Sequence, residues 1–543
     1  MNPMKFRTMH VSFLIIFLFL FSSLSVSEAT IRDSQYQPST LSTVPIITLQ
    51  PTSNALEKAQ QPVVRILVHP DLWQNTTIQN AVVEYQQDLN DQGFNALLYT
   101  SAVGSAETLR ALFQSWYSSE NLEGVVLIGQ YPQAYFHHDE VPNYYPAETF
   151  ICDLFLTDLD GVWEDLDPVD GVYDSHTGEI HPEIYLGRID PSSRTFGSLS
   201  VEEEIYRYLK KCHAYRQGEL SRPHKALTFV DDDWEAWANG TYDNWPGWLS
   251  STYPKRMDIF KRADTYKDVW LEYVTKNYEW FHLCAHSSAT THYLKVDGMW
   301  QTITNAEINN LAPPFLFYNL YCCHAADWDT NDSLAVTYLY SSSSSLAVVG
   351  STKSGGMLGG NHFYSHLAQN KTIGFALYSW FQNFEYYATY YLEFFYGMSI
   401  LGDPFLTNDI DCTVLKPQLS SPTHPDPSKK YLKTKPEFTW TEPTDAHSIV
   451  GYYYLLDQDP TTKVTKDTGI FVNDTSLKIT QRLENGTWYF HLVAEDSLGN
   501  IGKNTAHFKV NVNQVALRKI IISSSVGGAV VFIALAVGGK MKK

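Results

Sequence analysis

Positive charge is in short supply in this chain: 39 Lys and Arg stand against 59 Asp and Glu, a formal net charge of -20 over 543 residues. A protein that binds nucleic acid needs clustered Lys and Arg to displace counterions from phosphates, so a nucleic-acid partner is excluded. Cysteine is scarce as well. There are six, at Cys152, Cys212, Cys284, Cys322, Cys323 and Cys412, and none has Cys-x-x-Cys spacing. That excludes a disulfide framework and a thiolate zinc site. No internal repeat with a period of roughly 20–50 residues is present, which excludes a solenoid.

What is plentiful is apolar and aromatic: 44% of residues are hydrophobic and 14% are Phe, Trp or Tyr. The length exceeds what one hydrophobic core supports, so two or more folded units are expected. The acidity fits a well-solvated, extracytoplasmic surface. Lys5 and Arg7, the apolar stretch Val11–Phe21 and the small residues Ser25 and Ser27 read as a signal peptide over 1–28. A Ser-, Thr-, Pro- and Gln-rich lead-in covers 29–61. Near the other end, 519–539 is apolar and long enough for a transmembrane helix, and Lys540, Lys542 and Lys543 follow it. The expectation is a single-pass protein of the cell membrane with a cytoplasmic tail at 540–543 and everything before the helix outside. Six Asn-x-Ser/Thr triplets, at Asn75, Asn239, Asn331, Asn370, Asn473 and Asn485, agree with a glycoprotein.

Between these ends, strand and helix patterns alternate from Val63 onward. Strands are expected at Val63–Val68, Ala96–Thr100, Gly124–Ile128, Glu183–Ile189, Lys225–Val230, Trp280–Ala285, Phe315–Tyr321 and Leu346–Gly350, with helices between most of them. This predicts an α/β unit over 62–412, built on a mostly parallel sheet with flanking helices. Pro417, Pro422, Pro425 and Pro427 mark a linker, and short alternating segments after it predict an immunoglobulin- or fibronectin-like all-β sandwich over 413–515.

Ligands bind beyond the carboxyl ends of parallel strands. Two predicted strands end there in chemistry: Phe281-His282-Leu283-Cys284-Ala285-His286-Ser287 and Leu320-Tyr321-Cys322-Cys323-His324. A thiol attacks as thiolate and needs a base or positive field nearby, which an imidazole supplies. Successive strand side chains point to opposite faces, so only one of Cys322 and Cys323 can face a common site. His282, inside its strand, reads as a packed core residue, and His324 as a turn residue able to add positive field.

These segments resemble the gingipain-like cysteine peptidases of the caspase-fold clan, in which a strand ends in His-Gly and a later one in Ala-Cys or Cys-Cys. Further stretches carry the resemblance: Val125-Val126-Leu127-Ile128-Gly129, Pro182-Glu183-Ile184-Tyr185-Leu186-Gly187-Arg188, Ala347-Val348-Val349-Gly350-Ser351-Thr352 and Ser399-Ile400-Leu401-Gly402-Asp403-Pro404. It covers roughly 63–410 and implies a caspase-like sheet, often followed by an immunoglobulin-like domain. By the same resemblance Cys323 is the nucleophile and His286 its catalytic partner. The backbone N–H groups of Ser287 and Cys323 form the oxyanion site, and Glu148 or Asp153 orients the imidazole. Ser287 departs from the family's Gly at that position. No cofactor is required for the chemistry.

The densest carboxylate run, Asp158, Asp160, Asp165, Asp167 and Asp170, has glycines at Gly161 and Gly171 and offers oxygen ligands for a structural Ca²⁺, though without EF-hand spacing. Asp231, Asp232 and Asp233 are either a second such cluster or a strand-end cap. The functional expectation is a membrane-anchored cysteine endopeptidase acting on protein or peptide substrates. Two alternatives stand beside it: a transpeptidase, and a surface adhesion or scaffold protein that has lost the chemistry.

Overall fold

The computed structural model describes residues 61–140, 146–166, 170–241, 244–261, 264–383, 392–408, 414, 416–443, 448–496, 501–502 and 504–513. The expected signal peptide, most of the lead-in, the apolar segment at 519–539 and the tail lie outside them. The chain divides into two compact units, Met1–Thr413 and Val414–Lys543.

The first unit is organised by a ten-stranded sheet. Its strands in chain order are β1 (Val63–Val68), β2 (Asn95–Thr100), β3 (Leu122–Ile128), β4 (Tyr185–Ile189), β5 (Ala226–Val230), β6 (Arg256–Ile259), β7 (Trp280–Cys284), β8 (Phe317–Tyr321), β9 (Ala347–Ser351) and β10 (Met398–Gly402). Across the sheet they run β6-β5-β7-β8-β9-β10-β4-β3-β1-β2. β5 to β9 pair in parallel, and so do β1 to β4. Between the two sets lies β10, antiparallel to β9 and joined to β4 through the single pair Leu401–Arg188.

The sequence reads as it does because most of these strands are covered on both faces. β1, β5, β7, β8 and β9 are buried along their full lengths, as crossover helices on both sides require. Helices Thr76–Asp91 and Val201–Arg216 supply part of that cover. The second helix starts in a capping box: Ser200 Oγ accepts from Glu203 N, and the Glu203 carboxylate accepts from Ser200 N.

The expected fold class needs correction. The molecule is a mixed α/β structure in which the antiparallel strand β10 interrupts the large sheet and several small sheets stand beside it. Antiparallel hairpin strands Thr291–Val296 and Met299–Thr304 pair beside His286–Ser287, and further small sheets form around Tyr135–His138 and Val162–Glu164. The central antiparallel strand, Met398–Gly402, is not among the expected strands, because its residues run into the Leu401-Gly402-Asp403-Pro404 motif that the resemblance reads as the close of the domain. Among the described residues no helix is long and apolar enough to cross a membrane.

The second unit contains a three-stranded sheet and a five-stranded sheet, with Phe438, Trp440, Phe490 and Val510 in its core. In its longest pairing, Ile449–Asp457 runs antiparallel to Gly486–Asp496.

Candidate active site

β7 and β8 are parallel neighbours in register, with Cys284 opposite Tyr321, so the residues just beyond them emerge together. Ala285 N donates to Tyr321 O, 3.3 Å, and Ser287 Oγ donates to Cys323 O, which ties the two strand ends to each other. The two adjacent cysteines differ in their surroundings. Cys322 is buried, its thiol turned toward Leu283 O at 3.9 Å, whereas Cys323 is partly exposed. His324 follows in a left-handed conformation, φ 56°, so the chain turns sharply at the thiol. The Cys323 Sγ accepts a hydrogen bond from Gly355 N, 3.3 Å. His324 N donates to Lys353 O, 2.8 Å, which binds the thiol's turn to the turn after β9.

His286 is partly exposed, and its Nε2 lies 3.2 Å from Asp233 Oδ2; it makes no hydrogen bond to Cys323. Asp233 also receives the Lys295 ammonium, 3.0 Å. The hydrogen bond from His286, more than the nearby Lys295, holds the Asp233 carboxyl below the usual carboxylate range. Asp233 enters the site because β5 lies next to β7: the acidic run following one strand faces the histidine following the other. Its neighbour Asp231 is buried and accepts from Lys295 N; burial raises its carboxyl to about 7. The triplet is therefore partly a cap and partly the histidine's partner. Its signal in the sequence was strand-end position, legible only with the order of strands known.

Ser287 occupies ordinary backbone space, since it is not among the residues with positive φ. Ser288 N donates to Thr291 O, 3.0 Å. By the alternation of an antiparallel ladder, the adjacent pair Ser287–His292 is the non-hydrogen-bonded one, which turns the Ser287 N–H away from the hairpin. A serine thus supplies the N–H without the strain that a glycine-only conformation would impose.

Neither residue expected to orient His286 does so. Glu148 accepts from His324 Nε2, 2.9 Å, and from Ser354 N, 3.2 Å, and lies 3.7 Å from the ammonium of Lys353. Burial works against its charge, but His324 and then Lys353 hold the carboxyl below its ordinary value. Asp153 is locked to Arg188, whose Nε and Nη2 reach it at 2.9 Å and 2.7 Å, and this pair is buried. Lys353, missed in the sequence, is itself fully buried, and that burial lowers its ammonium to about 8. Burial pushes the Cys323 thiol up; the Gly355 N–H and Lys353 oppose that rise. His282 is buried against the Tyr364 hydroxyl, 2.7 Å, and burial lowers its imidazole to about 3.

The carboxylate run is dispersed. Asp158 is buried, and its oxygens accept from Gly161 N, Trp163 Nε1 and His176 Nε2. Asp158, Asp160 and Glu183 each place one oxygen within 4.8 Å of the others. Asp170 instead accepts from Val172 N, 2.9 Å, and Asp167 lies outside the described residues. Of the expected calcium ligands, Asp158 and Asp160 thus fall in one cluster, joined by Glu183.

No protein-family model matches the sequence, and no curated protein matches it. Among solved structures, dimeric latent PorU from Porphyromonas gingivalis is similar over 84% of this chain and 43% of its own, at 10% identity and a TM-score of 0.32. The fibronectin(III)-like modules of CbhA from Clostridium thermocellum are similar over 24% of this chain and 57% of theirs, at 12% identity and a TM-score of 0.14. A human fibronectin type III domain is similar over 18% of this chain and 86% of its own, at 18% identity and a TM-score of 0.13. The chain thus spans less than two thirds of PorU and of CbhA's modules. These likenesses are distant and assign no family.

Proposed function

We propose that the protein is a cysteine peptidase that cleaves peptide bonds through Cys323 and His286. The observation that carries this reading is the joining of two adjacent parallel strand ends, one bearing a partly exposed cysteine and the other a partly exposed imidazole already paired with a carboxylate. The Cys323 thiol gives its proton to the His286 imidazole as its sulfur bonds to the scissile carbonyl carbon. The carbonyl oxygen, now an oxyanion, takes hydrogen bonds from the N–H groups of Ser287 and Cys323, donors fixed before the charge develops. As the C–N bond breaks, the imidazole of His286 delivers a proton to the departing amine. Water then hydrolyses the thioester and regenerates the thiol. With Nε2 held by Asp233, Nδ1 is the ring nitrogen left for this transfer.

The test is hydrolysis of a mixed pool of internally quenched peptides by the full chain and by Cys323→Ala. The expected result is turnover by the first and none by the second, with both melting at the same temperature. Equal turnover by the two removes the mechanism. A second reading, a surface scaffold without chemistry, draws on the missing Cys323–His286 hydrogen bond and the raised thiol. Failure of Cys323 to react with a thiol-directed peptide probe in the folded protein would favour it.

A further inference from the structure

Large apolar side chains seldom stand in water beside a charged cluster without something to cover them. At the tip of the hairpin that follows His286, Met299 is 69% exposed and Trp300 is 54% exposed. The hairpin is well determined. Its turn, Asp297-Gly298, has positive φ at both residues, 50° and 79°, the two-residue geometry that matches the twist of paired strands. Lys295, opposite Trp300 in the ladder, lays its ammonium over the indole at 5.5 Å while bonding Asp233 at 3.0 Å. The indole is thereby held edge-on to the His286 ring, centroids 5.3 Å apart. On another side of the same imidazole, Trp234 approaches to 5.4 Å. His286 therefore contacts two indoles, one of them more than half open to solvent.

The chemistry gives this arrangement a direction. The imidazole protonates the leaving amine, so the residue following the scissile bond must lie on the His286 side of the thiol. Its side chain then reaches the indoles. Of the carboxylates around them, Asp233 is paired with His286 and Lys295, and Asp231 is buried against the Lys295 N–H.

We propose that Trp300, with Trp234, forms the subsite for the side chain immediately after the scissile bond, and that this subsite takes an aromatic or large aliphatic side chain. The inference rests on the hydrolytic reading above, and its test is chosen to be separable from it. The leaving-group half of a substrate is mimicked by an amino-acid amide, whose binding needs no catalysis. Phenylalaninamide, leucinamide and glycinamide are titrated against the full chain and the Cys323→Ala, Trp300→Ala and Trp300→Leu variants, with ligand-observed NMR as readout and thermal melting as a check of folding. The phenylalanine and leucine amides should bind roughly tenfold more tightly than glycinamide, the discrimination that one apolar pocket supplies. Trp300→Ala should erase that ratio, Trp300→Leu should keep part of it, and Cys323→Ala should leave it intact. Equal binding of the three amides to the native chain, or an unchanged ratio in folded Trp300→Ala, overturns the subsite. Selective binding without peptide turnover keeps the subsite and removes the peptidase. Turnover without selective binding does the reverse.

Discussion

The Nε2 of His286 is given to Asp233, 3.2 Å away, and not to the thiol of Cys323. A general acid or base positioned in a site contributes about 10²–10⁴-fold, and its orientation is part of that contribution. His286→Ala should therefore lower kcat/KM by about 10²–10⁴-fold. Asp233→Asn keeps the shape but loses the charge that favours imidazolium, so its loss should be smaller, fall on kcat, and leave KM nearly unchanged. Peptide hydrolysis by the two variants checks the ordering. A silent Asp233→Asn would mean that this carboxylate does not orient the base.

The pH profile follows from the surroundings of Cys323. Burial raises the thiol above its ordinary value, so thiolate, and with it kcat/KM, should still be rising with pH past the usual thiol range. Lys353 opposes that burial as a cation, and its own ammonium titrates near 8. Lys353→Met removes the opposing charge below about pH 8, where the ammonium exists, so the foot of the ascending limb should move to higher pH. Rates of thiol alkylation measured across pH give the limb directly. A limb that stays in place or moves downward would show that Lys353 does not act on the thiol.

The site was legible where chemistry coincides with a strand end. The strand-end positions of His286 and of the Cys322–Cys323 pair, and the core placement of His282, follow from pattern, whereas the choice of Cys323 follows from the family resemblance. Asp233 and Lys353 could not be seen in the same way. Each reaches the site from a strand distant in sequence, and which strands become neighbours is set by tertiary packing. The hairpin behind Trp300 did leave a signal, the Asp297-Gly298 dipeptide between alternating residues, and it went unread. β6 and β10 were missed for a different reason. β6 has only four residues, two of them charged, and β10 runs straight into the Leu401-Gly402-Asp403-Pro404 motif, which reads as the close of the domain and not as a strand.

Asp153 and Asp233 were separable only by structure, and they should fail differently. Asp153 is the buried partner of Arg188, whose guanidinium also faces the Trp328 ring at 5.1 Å. Removing one member of such a pair strands the other charge, at a cost of about 3–5 kcal/mol. Asp153→Ala should lower the unfolding free energy by that amount, and the midpoint with it, while the folded fraction keeps its kcat. Urea unfolding beside active-site-titrated kinetics distinguishes this from a catalytic defect.

Glu148 makes a case with a pH signature. It carries the charge that offsets buried Lys353, and its carboxyl is held below the ordinary value in the folded state. A carboxyl depressed on folding contributes stability that is fully present above the unfolded value and lost as pH falls through the folded one. Glu148→Gln should thus destabilise the protein at neutral pH by about 3–5 kcal/mol, the cost of leaving Lys353 unpaired. The gap between variant and native chain should narrow as both are melted in progressively more acid buffer. A gap that stays constant with pH would mean that the Glu148 charge adds nothing to folding.

Gly355 offers the sharpest local test, because one added methyl group acts through the backbone. Its φ is +113°, which L side chains rarely adopt, and a Cβ there would collide with the ring of Phe394. Its N–H is also the donor to Cys323 Sγ. Gly355→Ala should cost about 1–3 kcal/mol in stability through strain. It should also shift the N–H off the sulfur, and a thiolate that loses a donor becomes harder to form. The variant's alkylation profile should therefore move to higher pH in the same direction as Lys353→Met. Combining the two substitutions should move it further than either alone if the donor and the ammonium act independently on the sulfur. If the double variant shifts no further than Lys353→Met, Gly355 serves the site only by placing the lysine.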